Sequence, residues 1–198
     1  MKTLFIESRK RILLEKIDLS LIPEKIFIAY SIQYKPLALN LRKRLGKRVK
    51  GFKQVLGCSK LKTNYPLLLI GSGRFHALNL ALQNKQVYVL EEDKINKIEE
   101  KDIESIKKKK KATLSMFFSS NNIGILVSLK PGQKNMKEVI KLRDKLQKQG
   151  KKPWIFLADN ISLTDLENYP IESWVNTSCP GISYDANSRF LNLEDLKI

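Results

Sequence analysis

The feature that most constrains the fold of this chain is an alternation of strand-like and helix-like segments that runs through the sequence twice. Short apolar runs predict strands at residues 3–7, 25–31, 67–70, 86–90, 123–128, 154–158 and 173–176. Helical periodicity with plausible start and stop residues predicts helices at 36–46, from 77 to 82, at 137–149 and at 163–168. Such alternation favours parallel sheets with helices packed against them.

The pattern restarts after a charged segment, residues 94–111, which is helical in period and ends in five lysines, Lys107–Lys111. Cations suit a helix C-terminus, so we interpret this run as a solvated helix end. The restart predicts two small domains, residues 1–112 and 113–198. The predicted fold class is α/β, with two Rossmann-like domains whose parallel sheets are flanked by helices.

The formal net charge of +17 is concentrated in one region, because residues 25–90 contain no acidic side chain. A field of one sign attracts anionic partners. Two interpretations stay open, a surface of merely solvated lysines and a face that binds RNA or an acidic protein. No run approaches the roughly 18 apolar residues of a membrane helix, and the N-terminus lacks a signal-peptide pattern. We expect a cytoplasmic protein without a membrane partner.

The two cysteines, Cys58 and Cys179, lack the spacing of a self-contained metal site. An intracellular location does not favour a structural disulfide between them. By count and spacing alone, each could be a small buried hydrophobic side chain.

Four short strings contain the remaining candidate residues. They are residues 54–58 (QVLGC), 71–76 (GSGRFH), 127–133 (VSLKPGQ) and 175–180 (VNTSCP). Gly71 and Gly73 after a strand would let a ligand approach the backbone, and Arg74 could bind a carboxylate. His76 is the sole histidine of the sequence and could be either structural or functional.

Together and in this order, the strings resemble those of 2-(3-amino-3-carboxypropyl)histidine synthases of the archaeal diphthamide-biosynthesis type. The resemblance extends over nearly the whole chain. It implies a [4Fe–4S] cluster held by three cysteines, one from each of three related α/β domains. It also implies S-adenosylmethionine as the second cofactor and a histidine of translation elongation factor 2 as the acceptor. The transferred unit is the 3-amino-3-carboxypropyl group, moved by radical chemistry in a homodimer or heterodimer.

The resemblance assigns roles to particular positions of this sequence. Cys58 and Cys179 would be the cluster ligands of the second and third family domains, since thiolates are the usual ligands of such clusters. No catalytic residue is assigned. The S-adenosylmethionine pocket would be lined by Gly71, Ser72, Gly73, Arg74, His76, Ser128, Lys130 and Gln133.

The sequence departs from the family pattern because nothing in it corresponds to the first domain and its cysteine. We therefore expect a separate chain to supply that domain and the third thiolate. Two alternatives are a non-catalytic subunit in which both cysteines are relics, and a basic module that binds RNA or protein.

Overall fold

The structure is a computed structural model that describes Ser8, residues 17–186 and residues 189–196. The strand predicted at residues 3–7 lies outside the described residues. The chain divides into two compact units, Met1–Glu104 and Ser105–Ile198. The predicted domain limit, after residue 112, lies eight positions further along, and both limits lie within one helix, α3 (Glu100–Ser119).

The first unit is built on a five-stranded sheet in the order β2-β1-β3-β4-β5. Its strands are β1 (Ile26–Tyr30), β2 (Val49–Gln54), β3 (Leu67–Ile70), β4 (Val87–Glu91) and β5 (Lys94–Lys97). The first four strands are parallel, and β5 pairs antiparallel with β4. Its complete helices are α1 (Lys35–Leu45) and α2 (Arg74–Ala81).

Apolar side chains cover both faces of this sheet. On one face, Leu37 and Leu41 of α1 pack with Ile28 of β1 and Leu68 of β3. On the other face, the α2 side chains Ala77 and Leu80 pack with Leu67, Leu69 and Val87. A strand buried on both faces must be apolar at every position, which explains the uninterrupted run in β3.

The second unit has a four-stranded parallel sheet in the order β7-β6-β8-β9. Its strands are β6 (Asn122–Ser128), β7 (Lys152–Ala158), β8 (Ser173–Asn176) and β9 (Phe190–Asn192). Its helices are α4 (Met136–Lys148), α5 (Leu163–Leu166) and α6 (Gly181–Asp185). One face packs on α4, and the other is aromatic, with the Trp174 ring in contact with both Phe156 and Phe190.

Each unit places its first strand inside the sheet, its second strand on one side, and its third and fourth strands on the other. The two units therefore share one arrangement of their first four strands. This arrangement confirms the α/β class with parallel sheets. The first unit differs by the added antiparallel strand β5.

The structure corrects the predictions at five elements. β2 was missed because it is an edge strand whose lysines and half-exposed residues form no apolar run. The segment from residue 94 begins as β5, with Ile95 as its one buried side chain, and the helix starts only at Glu100. α2 begins at Arg74, three residues before its predicted start, and α6 and β9 were not predicted.

Among the residues described, no helix combines the length and apolar character that crossing a bilayer would require.

Candidate functional site

The loops that contain the candidate residues of the first unit gather at the carboxyl edge of its parallel strands. Cys58 lies four residues after the end of β2, the strand that the sequence did not reveal. The sequence had placed Cys58 only on the loop before β3. Because β2 borders β1, Cys58 follows a strand beside the first strand of the sheet. In open parallel sheets this edge is where ligands bind.

A compact turn exposes the Cys58 thiol to solvent. The Leu56 amide donates to Ser59 Oγ at 2.8 Å, and the Ser59 amide donates back to the Leu56 carbonyl at 3.0 Å. Cys58 itself is exposed and forms no disulfide. The backbone turn is therefore closed on both sides of the cysteine while its sulfur stays accessible.

The turn before Cys58 rests against the 71–76 string. A Cβ at Gly57 would come within 2.8 Å of the Phe75 ring and 2.9 Å of His76 Nε2. The side-chain amide of Asn79 donates to the Gly57 carbonyl at 2.7 Å. Glycine is thus required at position 57 by contact with α2, and two strings that are distant in sequence become neighbours.

The string Gly71–His76 forms the loop after β3 and the first turn of α2. Gly73 has a φ of 103°, a conformation that side chains other than glycine rarely adopt. Arg74 Nη2 lies 2.7 Å from Asp102 Oδ1, so its guanidinium binds a carboxylate of the same unit. Ser72 is exposed, and the Gly71 amide donates to the Leu90 carbonyl at 3.3 Å.

His76 and Ser31 are polar residues with unpartnered atoms at this edge. Burial lowers the pKa of His76 below its usual value, which keeps the imidazole neutral near pH 7. Within the described part of the chain, His76 Nδ1 and Ser31 Oγ are buried and lack a hydrogen-bond partner. A Cβ at Gly71 would lie 3.2 Å from Ser31 Oγ. Ser31 was not among the residues predicted from the sequence, although its position directly after β1 was a usable signal.

In the second unit, Cys179 lies three residues after the end of β8, again beside the first strand of its sheet. The buried Asn176 organises this loop. Its side-chain amide donates to the Cys179 carbonyl at 2.8 Å and to Asn192 Oδ1 at 2.9 Å, and its own Oδ1 accepts from the Ser178 amide at 3.0 Å. Cys179 is exposed and free of disulfides.

The 127–133 string packs beside this loop. The Ser128 amide donates to Ser178 Oγ at 2.7 Å, and the Lys130 amide donates to Ser128 Oγ at 3.1 Å. Ser128 is buried, Lys130 is exposed and Gln133 is half-buried in the turn that follows. The structure thus brings the second pair of strings together, as it does the first pair.

The two thiols are suitable donors for an iron–sulfur cluster, because both are exposed at the ligand-binding edge of a parallel sheet. The described ranges contain no grouping of three His, Cys, Asp or Glu side chains that could hold a metal ion. Each exposed thiol by itself fits the role of a cluster ligand.

The profile of the diphthamide synthesis protein family matches residues 1–192. A 2-(3-amino-3-carboxypropyl)histidine synthase of Methanocaldococcus jannaschii is 29% identical over 171 residues, which are 82% of this chain and 46% of that protein. The synthase of Pyrococcus horikoshii is 27% identical over 135 residues, covering 67% of this chain and 40% of the relative. The chain therefore spans less than half the length of these two relatives.

Two solved structures share the fold. The crystal structure of Dph2 from Pyrococcus horikoshii aligns with a TM-score of 0.82 at 21% identity, over 94% of this chain and 62% of that one. The same protein with a 4Fe-4S cluster aligns with a TM-score of 0.76 at 23% identity, over 88% and 56% of the two chains. By the extent of the profile match, the chain belongs to the diphthamide synthesis protein family.

Proposed function

We propose that this chain contributes two thiolate ligands, Cys58 and Cys179, to the [4Fe–4S] cluster of a 2-(3-amino-3-carboxypropyl)histidine synthase. The supporting observation is that each unit exposes one free cysteine at the carboxyl edge of its parallel sheet. Each cysteine loop also packs against a second string that is typical of the family. A cytoplasmic location follows from this function as a further prediction.

Held in part by Cys58 and Cys179, a cluster of this kind would supply the electron for reductive cleavage of S-adenosylmethionine. The residues of this chain bind and orient the partners of that reaction. The loop of Gly71, Ser72 and Gly73 offers a backbone surface free of bulky side chains. Arg74 is paired with Asp102 through Nη2, and its other guanidinium N–H groups are our candidates for binding a substrate carboxylate. Neutral His76 adds no charge beside the Cys58 loop.

The 127–133 string of the second unit is our further candidate for binding S-adenosylmethionine. Lys130 is exposed, and its flexible ammonium is a suitable partner for a carboxylate. Ser128 shapes the turn that presents Lys130 and Gln133, through its hydrogen bond to the Lys130 amide. We propose translation elongation factor 2 as the protein substrate, modified on a histidine.

The third thiolate has to come from protein outside these 198 residues, which contain two cysteines. We propose a domain of roughly 100 residues with one cysteine, a typical size for a small domain. Protein outside these 198 residues would supply it, in a homo-oligomeric or hetero-oligomeric assembly.

The test is anaerobic purification of this chain with the candidate domain, followed by iron analysis and an assay of group transfer to elongation factor 2. The expected result is about four irons for each pair of chains. Cys58→Ser and Cys179→Ser should each abolish cluster binding and transfer. Lys60→Ser, at an exposed position two residues from Cys58, is the control and should retain both.

A second candidate, a basic binding module, is favoured by the distribution of charge. Residues 35–54, which include α1 and β2, contain eight lysines and arginines and no acidic residue. A module of this kind would bind a polyanion with a steep dependence on salt. The double variant Cys58→Ser/Cys179→Ser would then keep full function, whereas loss of function would exclude this candidate.

A further inference from the structure

The segment that follows Cys58 is held along helix α2 by three side-chain amides. Asn79 donates to the Gly57 carbonyl at 2.7 Å. Gln83 accepts from the Leu61 amide at 3.0 Å and donates toward the Ser59 carbonyl at 3.4 Å. These contacts join residues of the cysteine loop to one side of α2 and to the residues just after its end.

Asn84 continues the series and is itself buried. Its Oδ1 accepts from the Thr63 amide at 2.9 Å, and its Nδ2 donates to the Leu61 carbonyl at 2.8 Å and to the Leu80 carbonyl at 2.9 Å. The last bond adds a side-chain donor to a carbonyl in the final turn of α2, which also accepts from the Gln83 amide at 3.1 Å. We call Asn79, Gln83 and Asn84 the amide ladder.

The amide ladder contacts every second residue of the segment, at positions 57, 59, 61 and 63. Residues 59–63 belong to no strand or helix, so their backbone groups lack the partners that a sheet would supply. The side chains of the ladder replace those partners. This arrangement fixes both the path and the register of the chain immediately after Cys58.

The same helix begins with the Gly71–His76 string. Phe75 and His76 contact the position of Gly57 from the first turn of α2, and Asn79 holds the Gly57 carbonyl one turn later. A shift of α2 would therefore move both the proposed S-adenosylmethionine loop and the Cys58 turn.

We propose that Asn79, Gln83 and Asn84 are positioning residues that set the geometry of Cys58 as a cluster ligand. This inference rests on the proposed function. None of the three touches the sulfur, so they act through the backbone of residues 57–63.

Hydrogen exchange on the 198-residue chain tests the ladder without a cluster. Gln83→Met keeps the length of the side chain and removes its hydrogen bonds, and Asn79→Asp keeps the shape but removes the donor. Gln83→Met should accelerate exchange of the Leu61 amide roughly fivefold, as expected for loss of one hydrogen bond. In both variants, exchange around Cys179 should not change. Lys85→Met, at an exposed position outside the ladder, is the matched control.

The cluster-loaded assembly tests the positioning role. In both ladder variants, iron release to a chelator should be at least about fivefold faster, and the electron paramagnetic resonance g-values of the reduced cluster should shift.

Three outcomes would contradict these expectations. Unchanged exchange at Leu61 in Gln83→Met would show that the amide ladder does not order the segment. Faster exchange with unchanged iron release and unchanged g-values would overturn the positioning role. Absence of iron in the wild-type assembly would instead contradict the proposed function, and exchange would still decide whether the ladder orders the Cys58 segment.

Discussion

The two units share a strand order but place and support their cysteines differently. In the first unit, Cys58 follows the second strand, and a neighbouring helix holds its loop through Asn79. In the second unit, Cys179 follows the third strand, and the buried Asn176 holds its loop from the end of β8. Both cysteines end beside the first strand of their sheet. One scaffold can thus present a thiol at the same edge through different loops, provided that each loop has its own polar support.

The largest difference between the two units should be in the stability lost when a strand glycine that lies under an aromatic ring is replaced. A Cβ at Gly124 would overlap the Trp174 ring, and one at Gly51 would overlap the Phe27 ring. Gly124 is on an interior strand under a fully buried ring, whereas Gly51 is on an edge strand under a half-buried ring that can move. Gly124→Ala should lower the free energy of unfolding by about 3 kcal/mol and Gly51→Ala by about 1 kcal/mol. Urea denaturation measures both, and equal losses would contradict the comparison.

The next effect concerns the polar support of each cysteine loop. Asn176 is buried and makes three hydrogen bonds through its side chain, so Asn176→Ala should cost about 2 kcal/mol of unfolding free energy. The half-buried Asn79 donates one hydrogen bond to the Gly57 carbonyl. Asn79→Ala should therefore cost about 1 kcal/mol of unfolding free energy. Thermal denaturation with Lys85→Ala as control tests this order. A larger loss of unfolding free energy for Asn79→Ala than for Asn176→Ala would contradict the prediction that Asn176 is the stronger support.

A smaller difference in stability is expected when one ion pair of each unit is removed. In the second unit, Lys110 Nζ lies 2.7 Å from Asp195 Oδ1, and their side chains are 39% and 19% exposed. In the first unit, the pair of Arg74 and Asp102 has the same distance, but the Arg74 side chain is 69% exposed. Lys110→Met should cost about 1 kcal/mol and Asp102→Asn about 0.5 kcal/mol, with both losses reduced by salt. Salt-independent losses would show that the effect is not electrostatic.

The next effect is a pH dependence near neutral pH that is confined to the first unit, since the second contains no histidine. Burial lowers the pKa of His76 in the folded protein, so below about pH 6.5 the unfolded chain binds more protons than the folded one. Stability is therefore full above pH 6.5 and falls as pH drops through the folded pKa. Denaturation from pH 7.5 to 5 should show this loss in the wild type and not in His76→Gln. A similar slope in the variant would assign the effect to another group.

The second unit should respond to acid at lower pH. Hydrogen bonds from the Asn121 and Asn122 backbone amides hold the pKa of Glu172 below its usual value. Its contribution is present at neutral pH and is lost as pH falls through that lowered pKa. Glu172→Gln should remove this low-pH slope and keep the slope due to His76. Denaturation of this variant across both pH ranges checks both expectations, and a low-pH slope that persists would contradict the role of Glu172.

Much of the fold could be predicted from local patterns. The apolar run in β3, the periodicity of α4 and the stop at Gly150 are each determined by side chains close in sequence. β2 and β5 could not be predicted in this way. Their residues are mostly exposed, and they become strands because neighbouring strands offer hydrogen-bond partners.

The sequence by itself determined the alternation of elements, the accumulation of positive charge and the four strings on which the family resemblance rests. These features are local, so they can be recognised without the fold. Only the tertiary structure decided that Cys58 follows a strand, that Gly57 lies against Phe75 and His76, and that Asn79, Gln83 and Asn84 hold the segment after Cys58. The physical reason is that these are contacts between residues about 20 positions apart, whose proximity exists only after β3 and α2 have packed together.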